Sequence, residues 1–170
     1  MKKSTFLVVA AFLAGASLAS ADSTQHAFSL QAPSIRGAAS GEISLVGGGT
    51  FNPATGFVAG GGEFRSLQDV HQGPLAGLHG GEGIHWKALQ LLISSGFKCG
   101  SDPAEPLKTA FTSERTVVMK VGFFRQGDGA TPSFIANVFI PADDLDPGAA
   151  GTQNVWVQQV GCAEASVGLR

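Results

Sequence analysis

The chain has 170 residues, 24 of them glycine, with 11 Lys and Arg against 13 Asp and Glu. The length admits one domain with a sizeable buried core. Beyond Lys2 and Lys3 the basic residues stand singly from Arg36 to Arg170, so there is no charged footprint for nucleic acid or for an anionic membrane surface.

The chain opens on Lys2 and Lys3, runs apolar from Phe6 to about Leu18 and closes on Ala19-Ser20-Ala21. A positive start, a short apolar stretch and a small-x-small end predict a signal peptide over residues 1–21. The apolar run is too short for a stable span of a ~30 Å hydrocarbon core. Removal of Lys2 and Lys3 leaves nine basic against 13 acidic residues. The mature chain is expected to be secreted or periplasmic, with no membrane insertion after cleavage. Residues 22–35 are expected as a flexible lead, and 36–170 as one β-rich domain.

Glu42-Ile43-Ser44-Leu45-Val46 alternates polar and apolar, then meets Gly47-Gly48-Gly49-Thr50-Phe51. Asn52-Pro53-Ala54-Thr55-Gly56 supplies turn chemistry, and Gly60-Gly61-Gly62-Glu63-Phe64 follows after Phe57-Val58-Ala59. Two Gly-Gly-Gly-x-Phe units on either side of one turn predict a β-hairpin whose glycines permit bulges or sharp coiling.

His71, His79, Glu82 and His85 crowd into 15 positions of glycine-rich sequence. Three imidazoles and a carboxylate are ligands for zinc or copper if the fold brings them together. The bland account is a set of loop histidines, solvated or bonded to backbone, with no cofactor. The following run, 85–93, suits a helix or a buried strand by periodicity; its glycine-rich flanks favour a strand.

Cys99 and Cys162 are the two cysteines. In an oxidising compartment an isolated pair predicts a disulfide. Neither has the C-x-x-C spacing of a redox or metal site.

Thr116 to Phe124 is rich in β-branched and aromatic residues and is expected to pair with Ser133 to Ile140 across a turn at 126–130. In the second strand Phe134, Ala136, Val138 and Ile140 share one face, and Ile135, Asn137 and Phe139 the other. Asp143-Asp144-Leu145-Asp146-Pro147-Gly148 offers oxygens of the kind calcium takes, but without EF-hand spacing; an Asp-Pro-Gly turn explains the same residues. Asn154 to Gln158 reads as a strand, and a last one runs from about Cys162 to Leu169. Strands at this spacing without alternating helices predict an all-β, single-domain antiparallel sandwich or barrel.

The stretch Gly47 to Phe64 resembles the signature of a family of secreted bacterial β-rich proteins of unknown function. The Trp86 region and the closing Gln153 to Cys162 are similar to it as well. The resemblance implies secretion and a β-domain, and implies no activity.

No G-x-S-x-G, no phosphate loop and no cysteine beside histidine is present. The favoured reading is a non-catalytic secreted domain with a binding or structural role. The alternatives are a metal-dependent enzyme or metal-binding protein using the His71–His85 region, and a barrel whose 12 Phe and 2 Trp line a cavity for a small apolar ligand.

Overall fold

The computed structural model describes residues 24–37, 41–83, 85–148 and 150–170, so the expected signal peptide lies outside the described residues. The main sheet is built from β1 (His26–Gly37), β2 (Ile43–Asn52), β3 (Phe57–Ser66), β4 (His85–Leu91), β7 (Thr116–Phe124), β8 (Phe134–Pro141), β9 (Val155–Val157), β10 (Gly161–Ala163) and β11 (Ser166–Leu169). A separate two-stranded ribbon is formed by β5 (Ser94–Phe97) and β6 (Lys108–Phe111). Each strand of the main sheet is antiparallel to its neighbours in the order β1-β2-β3-β4-β7-β8-β9-β10, and β10 returns to β1 at Arg36↔Cys162 and Gly37↔Gly161. The result is a closed eight-stranded antiparallel barrel, with β11 added beside β1.

The first correction concerns the expected lead. Residues 26–35 are not loose chain but most of β1, paired with β2 over its length and with β11 from Phe28↔Leu169 to Gln31↔Ser166. The cause is local pattern: Phe28, Leu30 and Ala32 alternate with polar residues and are buried in the barrel. The second correction concerns the last strand, which is interrupted. Asn154 spans the break: its amide donates to the Ala165 carbonyl at 2.9 Å, and its oxygen accepts from the Ala165 N–H at 2.6 Å. A side chain thus stands in for a peptide group where the strand leaves its ladder.

The glycine-rich hairpin is formed as its sequence predicts, with Gly47↔Gly62, Gly48↔Gly61 and Gly49↔Gly60 directly opposed. The reason for glycine lies inside the barrel. A Cβ on Gly47 would lie 2.3 Å from the Gly61 carbonyl oxygen and 2.7 Å from Cζ2 of Trp86, and Gly47 has φ +155°. The indole occupies that space and donates to the Val46 carbonyl at 3.1 Å. The β7–β8 pairing and the facing of β8 also follow the sequence: Ala136, Val138 and Ile140 point into the core. The 85–93 run is a strand over its first seven residues.

Phe51, Trp86, Met119 and Phe123 belong to one continuous interior cluster, so large apolar side chains fill the barrel. Eight strands give an interior that side chains just fill or that holds one small ligand. One end is plugged by the β3–β4 connection, whose Val70, Leu75 and Leu78 are buried in the same cluster.

A second cluster lies outside the barrel. Val118, Phe139 and Trp156 point outward from β7, β8 and β9 and are covered by the β5–β6 ribbon through Phe97 and Ala110. The ribbon is fastened by a Cys99–Cys162 disulfide, with Cα atoms 4.8 Å apart, and by a 2.8 Å hydrogen bond from the Trp156 indole to the Lys98 carbonyl.

Candidate functional site

The ribbon, the plug and the β9–β10 turn meet around a cleft of about 570 Å3. Gln72 and Gly73 come from the plug, Gly96, Lys98, Ser101 and Leu107 from the ribbon, and Gln158 and Gln159 from the turn, with Phe97 and Trp156 at the apolar wall. Each wall has a sequence-level cause. The turn closes through a hydrogen bond from Val160 N to Val157 O and puts Gln159 at φ 59°, where a side chain is uncommon. That conformation lays the Gln159 side chain against Gly73, where a Cβ would lie 2.9 Å from its own. Gln158 is held by β8: its amide oxygen accepts from Asn137 N at 3.0 Å, and Asn137 in turn donates to Ser95 at 3.1 Å. The disulfide and the Trp156–Lys98 hydrogen bond fix the ribbon side.

The lining is amide, hydroxyl and apolar, with Lys98 as its single ionisable group. Lys98 donates to the Pro103 carbonyl at 3.3 Å. The cleft therefore contains no carboxylate, imidazole or free thiol to act as a general base beside Ser101, and no set of metal ligands. It offers amide and hydroxyl hydrogen-bonding groups and one ammonium beside an apolar wall.

The four residues singled out for zinc or copper are not brought to one point. All except His85 lie on the plug, which is held by the backbone through Val70 N to Leu78 O, Gly77 N to Val70 O and Gly81 N to Ser66 O. The segment is an ordered cap with three buried aliphatic anchors, not the pliable loop its glycines imply. His79 Nδ1 lies 3.6 Å from Asp69, while its backbone N–H donates to Glu82 at 2.9 Å. Glu82 also pairs with Arg125 at 3.0 Å. His85 stacks on Phe124 at 4.4 Å between ring centres. His71 lines a separate depression with Arg36, Glu42, Gln68 and Asp69. Among the described residues, no three of His71, His79, Glu82 and His85 have ligand atoms within 4.8 Å of one another.

The group that does satisfy that distance is Cys99, Glu105 and Asp146, and its thiol is committed to the disulfide. Glu105 accepts from Cys99 N and Gly100 N at 2.8 Å each. Burial works to raise its pKa, but those two N–H groups and Lys108 outweigh it and hold the carboxyl below its usual value. The acidic turn is also internally partnered. Asp143 binds Arg115 through two hydrogen bonds, Asp144 accepts from Asp146 N and Gln153 N, and Asp146 pairs with Lys108.

The sequence reading missed the cleft because its residues come from four separated segments. The local signal was Gln158-Gln159-Val160-Gly161, a tight turn between two strands, where an outward-facing amide pair is unavoidable. No helix among the described residues is long and apolar enough to cross a membrane. Comparison with protein-family models, with curated proteins and with solved structures found no match.

Proposed function

We propose that this chain is an exported, non-catalytic binding module in which the packed barrel is the scaffold and the cleft at the ribbon, plug and turn is the binding site. The observation that carries the reading is the lining of that cleft. Three glutamines, one serine and an apolar wall suit a hydrogen-bonding ligand, and the one ionisable group of the lining, Lys98, is engaged with the Pro103 carbonyl. The packed interior favours an external site over a ligand held inside the barrel. The leader-like N-terminus, the disulfide and the resemblance of residues 47–64 to secreted bacterial proteins support export. The ligand class that fits is an oligosaccharide.

Trp86 and Trp156 are the two tryptophans, one in the interior and one at the cleft. A Trp86→Phe variant therefore makes the emission of Trp156 a reporter of the cleft. Titration with a panel of neutral bacterial-surface oligosaccharides is expected to change that emission saturably, and Gln159→Ala is expected to weaken the response. Saturable binding that leaves Trp156 unchanged, or no binding across the panel, refutes the proposed site.

A further inference from the structure

Where the ribbon meets the loop before β9, one amine lies between two carboxylates. Lys108 Nζ, on β6, is 2.5 Å from Asp146 Oδ2 and 3.4 Å from Glu105 Oε1. All three side chains are largely withdrawn from water, with 27% exposure for Lys108, 13% for Glu105 and 17% for Asp146. The Phe97 ring lies 6.0 Å from the amine, on the ribbon's inner side. None of the three is free to swing away. Glu105 is pinned by the N–H groups of Cys99 and Gly100. Asp146 follows a turn held by the Asp144 carboxylate, which accepts from both Asp146 N and Gln153 N. Lys108 is paired in β6 with Phe97.

We propose that Lys108 and Asp146 become joined by an intramolecular amide bond, with Glu105 relaying the proton. The ion pair is the reactant. Transfer of one proton from the ammonium, through Glu105, to the Asp146 carboxyl gives a neutral amine beside a neutral acid. Nζ then attacks Cγ, a C–N bond forms and one C–O bond of Asp146 breaks. The released oxygen leaves as water with two of the three ammonium hydrogens, and the third remains on the amide nitrogen. Atoms and charge balance with no oxidant, reductant or activating group.

Two features favour this outcome over a simple ion pair. Well-oriented intramolecular groups react as though present at effective concentrations on the order of 10^5–10^8 M, and a cross-link has to form only once in the life of the molecule. Glu105, which lies within reach of both Lys108 and Asp146 and whose carboxylate is oriented by the N–H groups of Cys99 and Gly100, is the group placed to relay the proton. The link would tie β6 to the loop before β9, as the disulfide ties Cys99, just beyond β5, to β10. Both strands of the ribbon would then be covalently closed over Phe139 and Trp156. The inference is independent of any ligand in the cleft.

The test is the intact mass of the purified, fully reduced chain, with its N-terminus established by tandem mass spectrometry. The expected result is a mass short of the sequence by one water, with a branched peptide joining Lys108 to Asp146 after proteolysis. Lys108→Arg and Glu105→Gln are expected to restore the full mass while circular dichroism shows both variants folded. A wild-type mass equal to the sequence mass overturns the proposal even if a variant fails to fold. So does a lost water that persists in Lys108→Arg, which would instead mark a succinimide such as one at Asp128-Gly129.

Discussion

Asn154 offers a test of how the barrel closes, because one side chain completes the hydrogen bonding of Ala165 at the break between β10 and β11. Replacement by Ala leaves the Ala165 N–H and C=O without partners at a position that is 9% exposed. Each orphaned buried group costs about 1–3 kcal/mol, and the net loss expected for the pair is about 3 kcal/mol. For a domain of this size that is a fall in melting temperature of about 6–12 °C. Asn154→Asp separates the two bonds. It keeps the acceptor for Ala165 N–H but sets a carboxylate against the Ala165 carbonyl. The new carboxyl should have a folded pKa raised above its unfolded value, so its penalty applies at neutral pH and eases as pH falls and the acid gains a proton to donate. Thermal and urea unfolding, followed at pH 7 and pH 4, provide the measurement. A loss below about 0.5 kcal/mol in Asn154→Ala, within the range of ordinary surface changes, would refute the reasoning. So would an Asn154→Asp variant that is no more stable, relative to wild type, at the lower pH.

Replacing both Cys99 and Cys162 by Ser opens a loop with a sequence separation of 63 and is expected to cost about 4 kcal/mol by chain entropy. Because the ribbon is released, the emission of Trp156 should shift to the red in the folded variant, whereas that of Trp86 in the interior should not; coincident shifts would contradict two separate clusters. Gly47→Ala is expected to be strongly destabilising, about 1–3 kcal/mol from overpacking against the Gly61 carbonyl and Trp86 in addition to its backbone strain, and Trp86→Phe in the same chain should recover only the part due to the indole, as measured by urea midpoints. The carboxyls of Asp69, Glu82, Glu105, Asp128 and Asp143 all lie below their usual values through hydrogen bonds such as Gly80 N–H to Asp69 and Ser133 to Asp128. Depressed carboxyls contribute stability that is present above their unfolded values, near 3.8 and 4.5, and is lost as pH falls through the folded ones, so urea midpoints should hold to about pH 5 and drop below it. Lys108 is raised above 10.5, chiefly by its hydrogen bond to Asp146, and this contribution in the unlinked chain is present below that pH and lost above it, a loss that Lys108→Met should abolish.

Much of this fold was legible in local pattern. The hairpin at 43–66 follows from two apolar-to-glycine runs around an Asn-Pro-Ala-Thr-Gly turn, and the β7–β8 pair from alternation on both sides of Gln126 to Ala130. The disulfide follows from an even cysteine count in a chain with a leader-like N-terminus. The alternation of Phe28, Leu30 and Ala32 was equally visible, but it lies beside an expected leader; the fold places it between β2 on one side and β11, from the far end of the chain, on the other. What tertiary structure alone decided is closure. A strand pattern of period two is the same in a sandwich and in a barrel, and only the meeting of Gly37 with Gly161 selects the barrel. Closure then sets the rest. It sends one face of β7 to β9 outward, where Val118, Phe139 and Trp156 need a cover and the β5–β6 ribbon provides it. It also opens an end that Val70, Leu75 and Leu78 fill, which orders the histidine-bearing loop, with His79 and His71 on either side of Asp69 and His85 stacked on Phe124. Residue type and spacing determined which ligand atoms the chain carries; only closure of the ring determined which of them face one another, because side-chain direction in a sheet depends on register with strands that lie far away in sequence.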